Sequence, residues 1–229
     1  MGRIENFVAK HFEFPEGATP LPDSSGLLIS WVHHLKDLNR VEAENILNAQ
    51  RKYLQKPIDN LQNWFQVKEL KTIHRAMFGS VWEWAGTYRK SITSIGIRPH
   101  LIPVQTAEFC VEVSSWLQDP VELTFLEMAA RIHHRLVAIH PFENGNGRFS
   151  RLIADRFLLA WKCPYPLWPN DLNETSQIRK TYIHTLQLAD KGDYEPLIEL
   201  MKKFGACDPT LAELLKNPLY RSYIEELLP

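Results

Sequence analysis

The sequence predicts a mainly α-helical protein, and three observations carry that expectation. Apolar residues recur at three- and four-residue spacing in most of the longer segments, the period that gives a helix one buried face. Only Tyr88–Val104, YRKSITSIGIRPHLIPV, combines β-branched residues with Gly96 and prolines at 99 and 103, which predicts a short irregular hairpin. Finally, 45% hydrophobic residues in a chain of 229 suffice for one sizeable domain with elaborations, and exclude a disordered chain.

In chain order, the segment GATPLPDSS at 17–25 is rich in turn formers, so the first sixteen residues are expected to form an arm on the body. Asp37–Tyr53 spaces Leu38, Val41, Ile46, Leu47 and Ala49 as an amphipathic helix that Pro57 must follow rather than join. Val67–Phe78 repeats the pattern through Leu70, Ile73, His74 and Met77 and stops at Gly79. After the hairpin, helical spacing resumes at Thr106–Leu117, Thr124–Ile139, Gly147–Lys162, Ser176–Asp190 and Tyr194–Phe204. A tail from Cys207 to Pro229 adds one or two short helices. The expected organisation is an arm and helix over 1–60, a core over 61–205 and a tail over 206–229.

A net charge of −1 gives no global pull toward nucleic acid or an anionic membrane, so an anion site must be built locally. No apolar run approaches the ~20 residues of a membrane span, and Met1–Lys10 has no apolar signal core, so a cytoplasmic protein is expected. Cys110, Cys163 and Cys207 form no CxxC pair and read as buried free thiols. His133 and His134 are adjacent, point about 100° apart on a helix, and read as packing or surface residues rather than zinc ligands. Trp82, Trp84 and Tyr88 have no basic stripe beside them and read as core rather than as a platform for bases.

The chemistry concentrates in His140–Arg151, HPFENGNGRFSR, between two strong helical patterns. Pro141 drives His140 out of helical geometry and leaves it at a helix exit. Gly145 and Gly147 let successive amides turn into one concavity, and the helix opening near Gly147 adds free N–H groups and a favourable dipole for an anion. Arg148 and Arg151, three residues apart, project toward the same place. An imidazole beside a phosphate cradle has the reach and the near-neutral pKa of a general base for phosphoryl or nucleotidyl transfer. The bland alternative is a Gly-Asn loop with its arginines in solvent; the joint presence of His140, Pro141-Phe142, GNGR and Arg151 argues against it.

This segment resembles the Fic-domain signature HxFx(D/E)GNGRxxR at His140, Phe142, Gly145, Asn146, Gly147, Arg148 and Arg151, with Asn144 departing from it. MFGSVWEWAGTYR at 77–89 and YIHTLQLADKGDYEPLIEL at 182–200 extend the likeness. The GATPL opening, the EAENI segment and RIHHRLVAIHPF resemble the branch called mobile mystery protein B, so the likeness spans about residues 17–205.

The resemblance implies a Fic fold: a helical bundle with a short β-hairpin flap over the active-site loop, transferring AMP from ATP to a Ser, Thr or Tyr hydroxyl of a target protein. It implies His140 as the base and Phe142 as the loop's anchor. Asn146 with the amides around Gly145 and Gly147 would hold the α-phosphate, Arg148 the β-phosphate and Arg151 the γ-phosphate. Tyr182, Ile183 and Asp190 would line the adenine pocket. The flap residues Thr93, Ser94, Ile95, Gly96 and Ile97 would pair with an extended stretch of target. At Asn144 the family carries an acid that holds Mg²⁺, and an amide oxygen is a poorer ligand for that ion. An inhibitory pattern (S/T)xxxE(G/N) is matched at Glu44 and Asn45 within RVEAEN, implying a carboxylate near Arg151 as an off switch. An antitoxin or other regulator as partner, and a homo-oligomer, stay open. A nucleotide-binding regulatory module with little catalysis, and a Fic enzyme using another phosphate-containing donor, are the alternatives.

Overall fold

The computed structural model describes residues 24–55, 64–118, 123–169, 172 and 176–209. The expected arm over 1–16 and most of the tail lie outside the described residues. Among those described, seven α-helices follow in order: α1 Leu35–Gln55, α2 Val67–Phe78, α3 Ile102–Gln118, α4 Phe125–Ile139, α5 Asn146–Ala160, α6 Gln177–Ala189 and α7 Glu195–Lys203. No helix among the described residues is long and apolar enough to cross a membrane. The mainly helical expectation therefore holds, and α2 matches its predicted bounds.

The Tyr88–Val104 segment differs from its expectation. It contains no strand, only bends, a 3₁₀ turn at Pro99–Leu101 and the first turn of α3. Two local causes account for this. Pro103 is the second residue of α3, a first-turn position where a missing N–H costs nothing. The carbonyls of Ser91 and Ile97, which a ladder would use, instead accept from the Arg89 guanidinium. The described β pairing is an isolated antiparallel bridge, Leu27 with Trp82, which fastens the chain before α1 to the turn after α2.

α4 and α5 form the centre as a helical hairpin, with α1 lying across both α2 and α5 and the α6–α7 pair completing the other side. Ile73 and Met77 of α2, Leu136 of α4 and Phe149, Ile153 and Phe157 of α5 are fully buried at this junction. Helix α4 starts because the Thr124 hydroxyl accepts from the Glu127 amide, while the Asp208 carboxylate accepts from the Leu126 amide. His133 and His134 are buried within α4, and Trp82 is buried and stacked on Trp84 at a ring separation of 5.2 Å. Cys110 and Cys163 are buried, as expected; Cys207, after the end of α7, is exposed.

The buried face of α1 runs through Leu38, Glu42, Ile46, Ala49 and Tyr53. Spacings of three and four put all five on one stripe, so a carboxylate sits in the middle of an otherwise apolar face. Leu47, expected in that stripe, is instead exposed.

Candidate active site

The loop between α4 and α5 is fixed at both ends by left-handed residues. His140 terminates α4 with φ 52° and ψ 61°, its amide donating to the Leu136 carbonyl at 3.1 Å. Glycine is the usual residue in that conformation; a histidine there costs about 1 kcal/mol, and Pro141 keeps the helix from continuing. Gly145 precedes α5 with φ 78°. A Cβ at this position would lie 2.3 Å from the Phe78 ring, so both conformation and space require glycine.

Between these ends the loop folds around its own side chains. Phe142 is buried and stacks on His74 with ring centroids 3.7 Å apart. The Asn146 side chain accepts from the Phe142 amide at 2.9 Å and donates to its carbonyl at 2.8 Å. Asn146, expected on a phosphate, is thus committed to closing the loop. His74 accepts from the Gly86 amide through Nδ1 at 3.0 Å, leaving Nε2–H to donate to the Asn144 carbonyl at 3.1 Å. Burial pushes the His74 pKa down to about 3; the Asn144 carbonyl opposes this and the Arg148 charge adds to it. The ring is therefore a neutral peg joining α2, the Gly86 turn and the loop.

The first amides of α5 have no intrahelical acceptor and face an end of positive dipole. The two motif arginines flank them differently. Arg151 is buried at 8% exposure, its guanidinium 5.6 Å from the Tyr182 ring centre and 5.8 Å from that of Trp168. The Tyr182 hydroxyl meets Nε2 of His133 at 2.9 Å, and Arg151 opposes the upward shift that burial gives the Tyr182 pKa. No carboxylate among the described residues forms an ion pair with Arg151. Arg148 is paired: its Nη1 lies 2.7 Å from Oε2 of Glu42, whose other oxygen accepts from the Trp82 indole at 2.7 Å.

The carboxylate on a motif arginine is thus Glu42, not Glu44, and the arginine is Arg148, not Arg151. Glu44 is exposed on the other side of α1, because two residues turn a helix by about 200°. The Asn45 side chain donates to the Met77 carbonyl at 3.0 Å and helps hold α1 on α2.

His140 is half-buried. Burial lowers its pKa; the Val137 carbonyl opposes that shift, and the positive charge of Arg89 reinforces it. Burial and the Arg89 charge both favour the neutral ring, the form that can take a proton. Gly96 and Ile97 lie against this residue: a Cβ on Gly96 would be 2.5 Å from the His140 Cβ, and the Ile97 amide reaches the Ile139 carbonyl at 3.5 Å. Ser94 and Ile95 are exposed, and the Thr93 hydroxyl donates to the Ile95 carbonyl at 2.6 Å.

The remaining expected residues separate. Tyr182 faces the loop, where a Cβ on Gly147 would meet its hydroxyl at 3.8 Å. Ile183, one step round α6, is 39% exposed. Asp190 ends α6 on His134, with 2.8 Å between Oδ1 and Nε2. Glu42, Arg89 and Trp168 escaped the sequence reading, and His74 entered it only as a position on the helical stripe of 67–78. Glu42 and His74 left one signal, a polar residue at a buried stripe position; Trp168 left none.

A divalent cation does not fit the protein groups of this loop. The Asn144 Oδ1 accepts from the Gly145 amide at 2.6 Å. The neighbouring Glu143 carboxylate faces the other way, accepting from the Ser91 hydroxyl at 2.6 Å and the Lys90 amide at 3.2 Å. No group of three metal-ligating side chains gathers among the described residues.

Comparison with known proteins agrees with this geometry. The family model described as Fic/DOC family matches residues 64–158. The chain is 31% identical over 158 residues to the protein adenylyltransferase Fic of Aedes aegypti, covering 68% of this chain and 30% of that one. The Drosophila melanogaster protein of the same name is 30% identical over 138 residues, covering 59% of this chain and 27% of that one. The chain thus spans less than a third of these curated relatives. Among solved structures, BepC of Bartonella tribocorum with bound AMPPNP superposes with a TM-score of 0.59 at 18% identity, covering 86% of this chain and 97% of that one. The N-terminal Fic domain of a Bartonella quintana effector with bound ADP reaches 0.61 at 19% identity, covering 88% and 97%. Residues 64–158, which hold the loop and the helices on either side of it, are a domain of the Fic/DOC family.

Proposed function

We propose that this protein is an adenylyltransferase that moves AMP from ATP to a hydroxyl of a target protein. The observation that carries the reading is the His140 imidazole, held at the left-handed exit of α4, beside an anion cradle in which the buried Arg151 has no carboxylate partner among the described residues. The names of the curated relatives and the nucleotides in the fold neighbours support it.

The target hydroxyl oxygen attacks the α-phosphorus, its proton passes to His140, and the bond from that phosphorus to the bridging oxygen breaks to release pyrophosphate. The first amides of α5 hold the α-phosphate, where charge develops. Arg151 takes the terminal phosphate and Arg148 the one before it. Tyr182 with Ile183 and Asp190 forms the side on which the adenine rests. Magnesium enters this reading with ATP, held by phosphate oxygens and water rather than by Asn144. The 91–98 segment acts as the flap: an extended target segment lies along Thr93–Ile97 and pairs by strand addition with backbone groups of Thr93–Gly96, the Ile97 amide and carbonyl being bonded within the chain. The cytoplasm, rich in ATP, is the assigned location.

Glu42 restrains this activity, in place of the Glu44 read from the sequence. Its ion pair with Arg148 neutralises one of the two cations a triphosphate needs. The same pair supports the second reading, a nucleotide-responsive regulatory module with little catalysis.

The test incubates the protein with α-labelled ATP and Mg²⁺ in cell lysate, comparing the unaltered chain, Glu42→Gly, and Glu42→Gly with His140→Ala. Label on a protein band that grows with the first change and vanishes with the second supports transfer. No label, together with ATP binding by calorimetry, favours the regulatory module or another donor.

A further inference from the structure

Arg89 is the hub of the site's least expected contacts. It is 2% exposed and forms no ion pair among the described residues. Its guanidinium donates to three carbonyls: His140 from Nε at 2.6 Å, Ser91 from Nη1 at 2.7 Å and Ile97 from Nη2 at 2.5 Å. Its backbone amide donates to Pro141 at 2.9 Å. Ser91 and Ile97 stand at the two ends of the 91–97 segment, so one side chain joins both ends to the backbone of the histidine. Glu143 adds a second link through Ser91 and Lys90. Gly96, at φ 108°, closes the contact from the other side, since a Cβ there would overlap both the His140 Cβ and, at 2.7 Å, Arg89 Nη2.

We propose that Arg89 is a positioning residue that joins the 91–97 segment to His140, so that a ligand bound along the segment and the imidazole are held in one register. The inference rests on the assignment of His140 as base. Three carbonyl acceptors in fixed directions require the planar five-donor fork of arginine; a lysine keeps the charge but cannot reach all three. The histidine needs such a tether, because its left-handed backbone is otherwise costly for a residue with a Cβ. Misplacement of a reacting group by about 1 Å can cost ~100-fold in rate, so a backbone tether on the base acts directly on turnover.

The experiment uses the full chain carrying Glu42→Gly, with Arg89→Lys and Gly96→Ala added separately. Four quantities are read: kcat for label transfer, Kd for ATP by calorimetry, hydrogen exchange of 90–98, and the NMR titration of a ¹³C-labelled His140 ring. Arg89→Lys is expected to lower kcat about tenfold or more while the ATP Kd stays within about twofold, with faster exchange across 90–98. Gly96→Ala, whose Cβ would press on His140 as well as on Arg89, is expected to do the same; should Arg89→Lys fail to fold, exchange in the Glu42→Gly parent decides, since unprotected amides across 90–98 would overturn the tether. Arg89→Met additionally raises the midpoint of the His140 titration by removing the nearby charge. Parental kcat and exchange in Arg89→Lys would overturn the proposal, as would an ATP affinity that falls as far as kcat. If the parent transfers no label, the base assignment fails, whereas exchange and the ring titration still decide whether Arg89 holds the segment to His140.

Discussion

The Oε2 of Glu42 lies 2.7 Å from Nη1 of Arg148, and the pair joins the middle of α1 to the first turn of α5 across 106 positions of sequence. Glu42 is 4% exposed and the Arg148 side chain 24%. The carboxylate is therefore the more desolvated partner, and it is also fixed by the Trp82 indole. An anion at the cradle competes with it for Arg148.

Glu42→Gln keeps an oxygen for the Trp82 indole but removes the charge. ATP affinity is expected to rise about tenfold, a coupling of ~1.4 kcal/mol. Without nucleotide the same change leaves a half-buried arginine unpaired and lowers stability by about 1–2 kcal/mol, less than the loss for a fully buried pair. Calorimetry with ATP and thermal unfolding with and without it check both halves. Glu44→Gln, on the exposed side of α1, moves neither.

Gly145→Ala tests the cradle's geometry. The new methyl would meet the Phe78 ring at 2.3 Å in a backbone conformation disfavoured for alanine, so either α5 shifts or the phenyl ring does. A loss of about 2–4 kcal/mol in urea unfolding is expected, from overpacking plus left-handed strain. A loss below about 1 kcal/mol would show that the loop has room this arrangement denies it.

Much of the fold was legible because it is written in local spacing. Val67–Phe78 and the His140 exit needed only periodicity, a terminating glycine and a proline. The loop's phosphate-binding character was equally local, since glycines and arginines at fixed offsets state it. What was illegible depends on contacts distant in sequence. Glu42 and Glu44 are two steps apart in one helix, and the choice between them rests on which side of α1 faces α5. The stripe Leu38, Glu42, Ile46, Ala49, Tyr53 held that answer, but only if a charge is accepted at a buried position. The hairpin expected over 88–104 failed because Arg89, outside any strand propensity, takes its carbonyls.

Asp155 and two histidines set opposing pH dependences. Burial raises Asp155 to about 8, with the Trp168 indole and the Arg151 charge opposing. The folded state then holds a proton the unfolded chain has lost, so this group's contribution is present below pH ~4 and disappears as pH rises toward 8. His74 and His133 are lowered to about 3, mainly by burial, so their contribution is present above pH ~6.5 and is lost as pH falls toward 3. Asp155→Asn retains an acceptor for the indole. Its stability relative to the parent is expected to rise between pH 5 and 8, at up to ~1.4 kcal/mol per pH unit, in denaturant titrations. A pH-independent difference would place the Asp155 proton elsewhere.

Asn144→Asp addresses the departure from the family's acid. The Asn144 oxygen now accepts from the Gly145 amide at 2.6 Å, and an aspartate can keep that bond with one oxygen while offering the other to a cation. A carboxylate is a far better ligand than an amide for a hard dication that keeps most of its water and takes one or two protein oxygens. Because residue 144 is exposed, the new charge has water around it and the loop retains its fold. The variant, in the Glu42→Gly background, is therefore expected to need less Mg²⁺ for half-maximal label transfer, by about tenfold, with an unchanged thermal midpoint. The change should vanish when His140→Ala is added, since a cation on the phosphates does not replace the base. A Mg²⁺ requirement identical to the parent's would mean that the nucleotide and water already hold the ion fully, and that Asn144 serves the loop's hydrogen bonding alone.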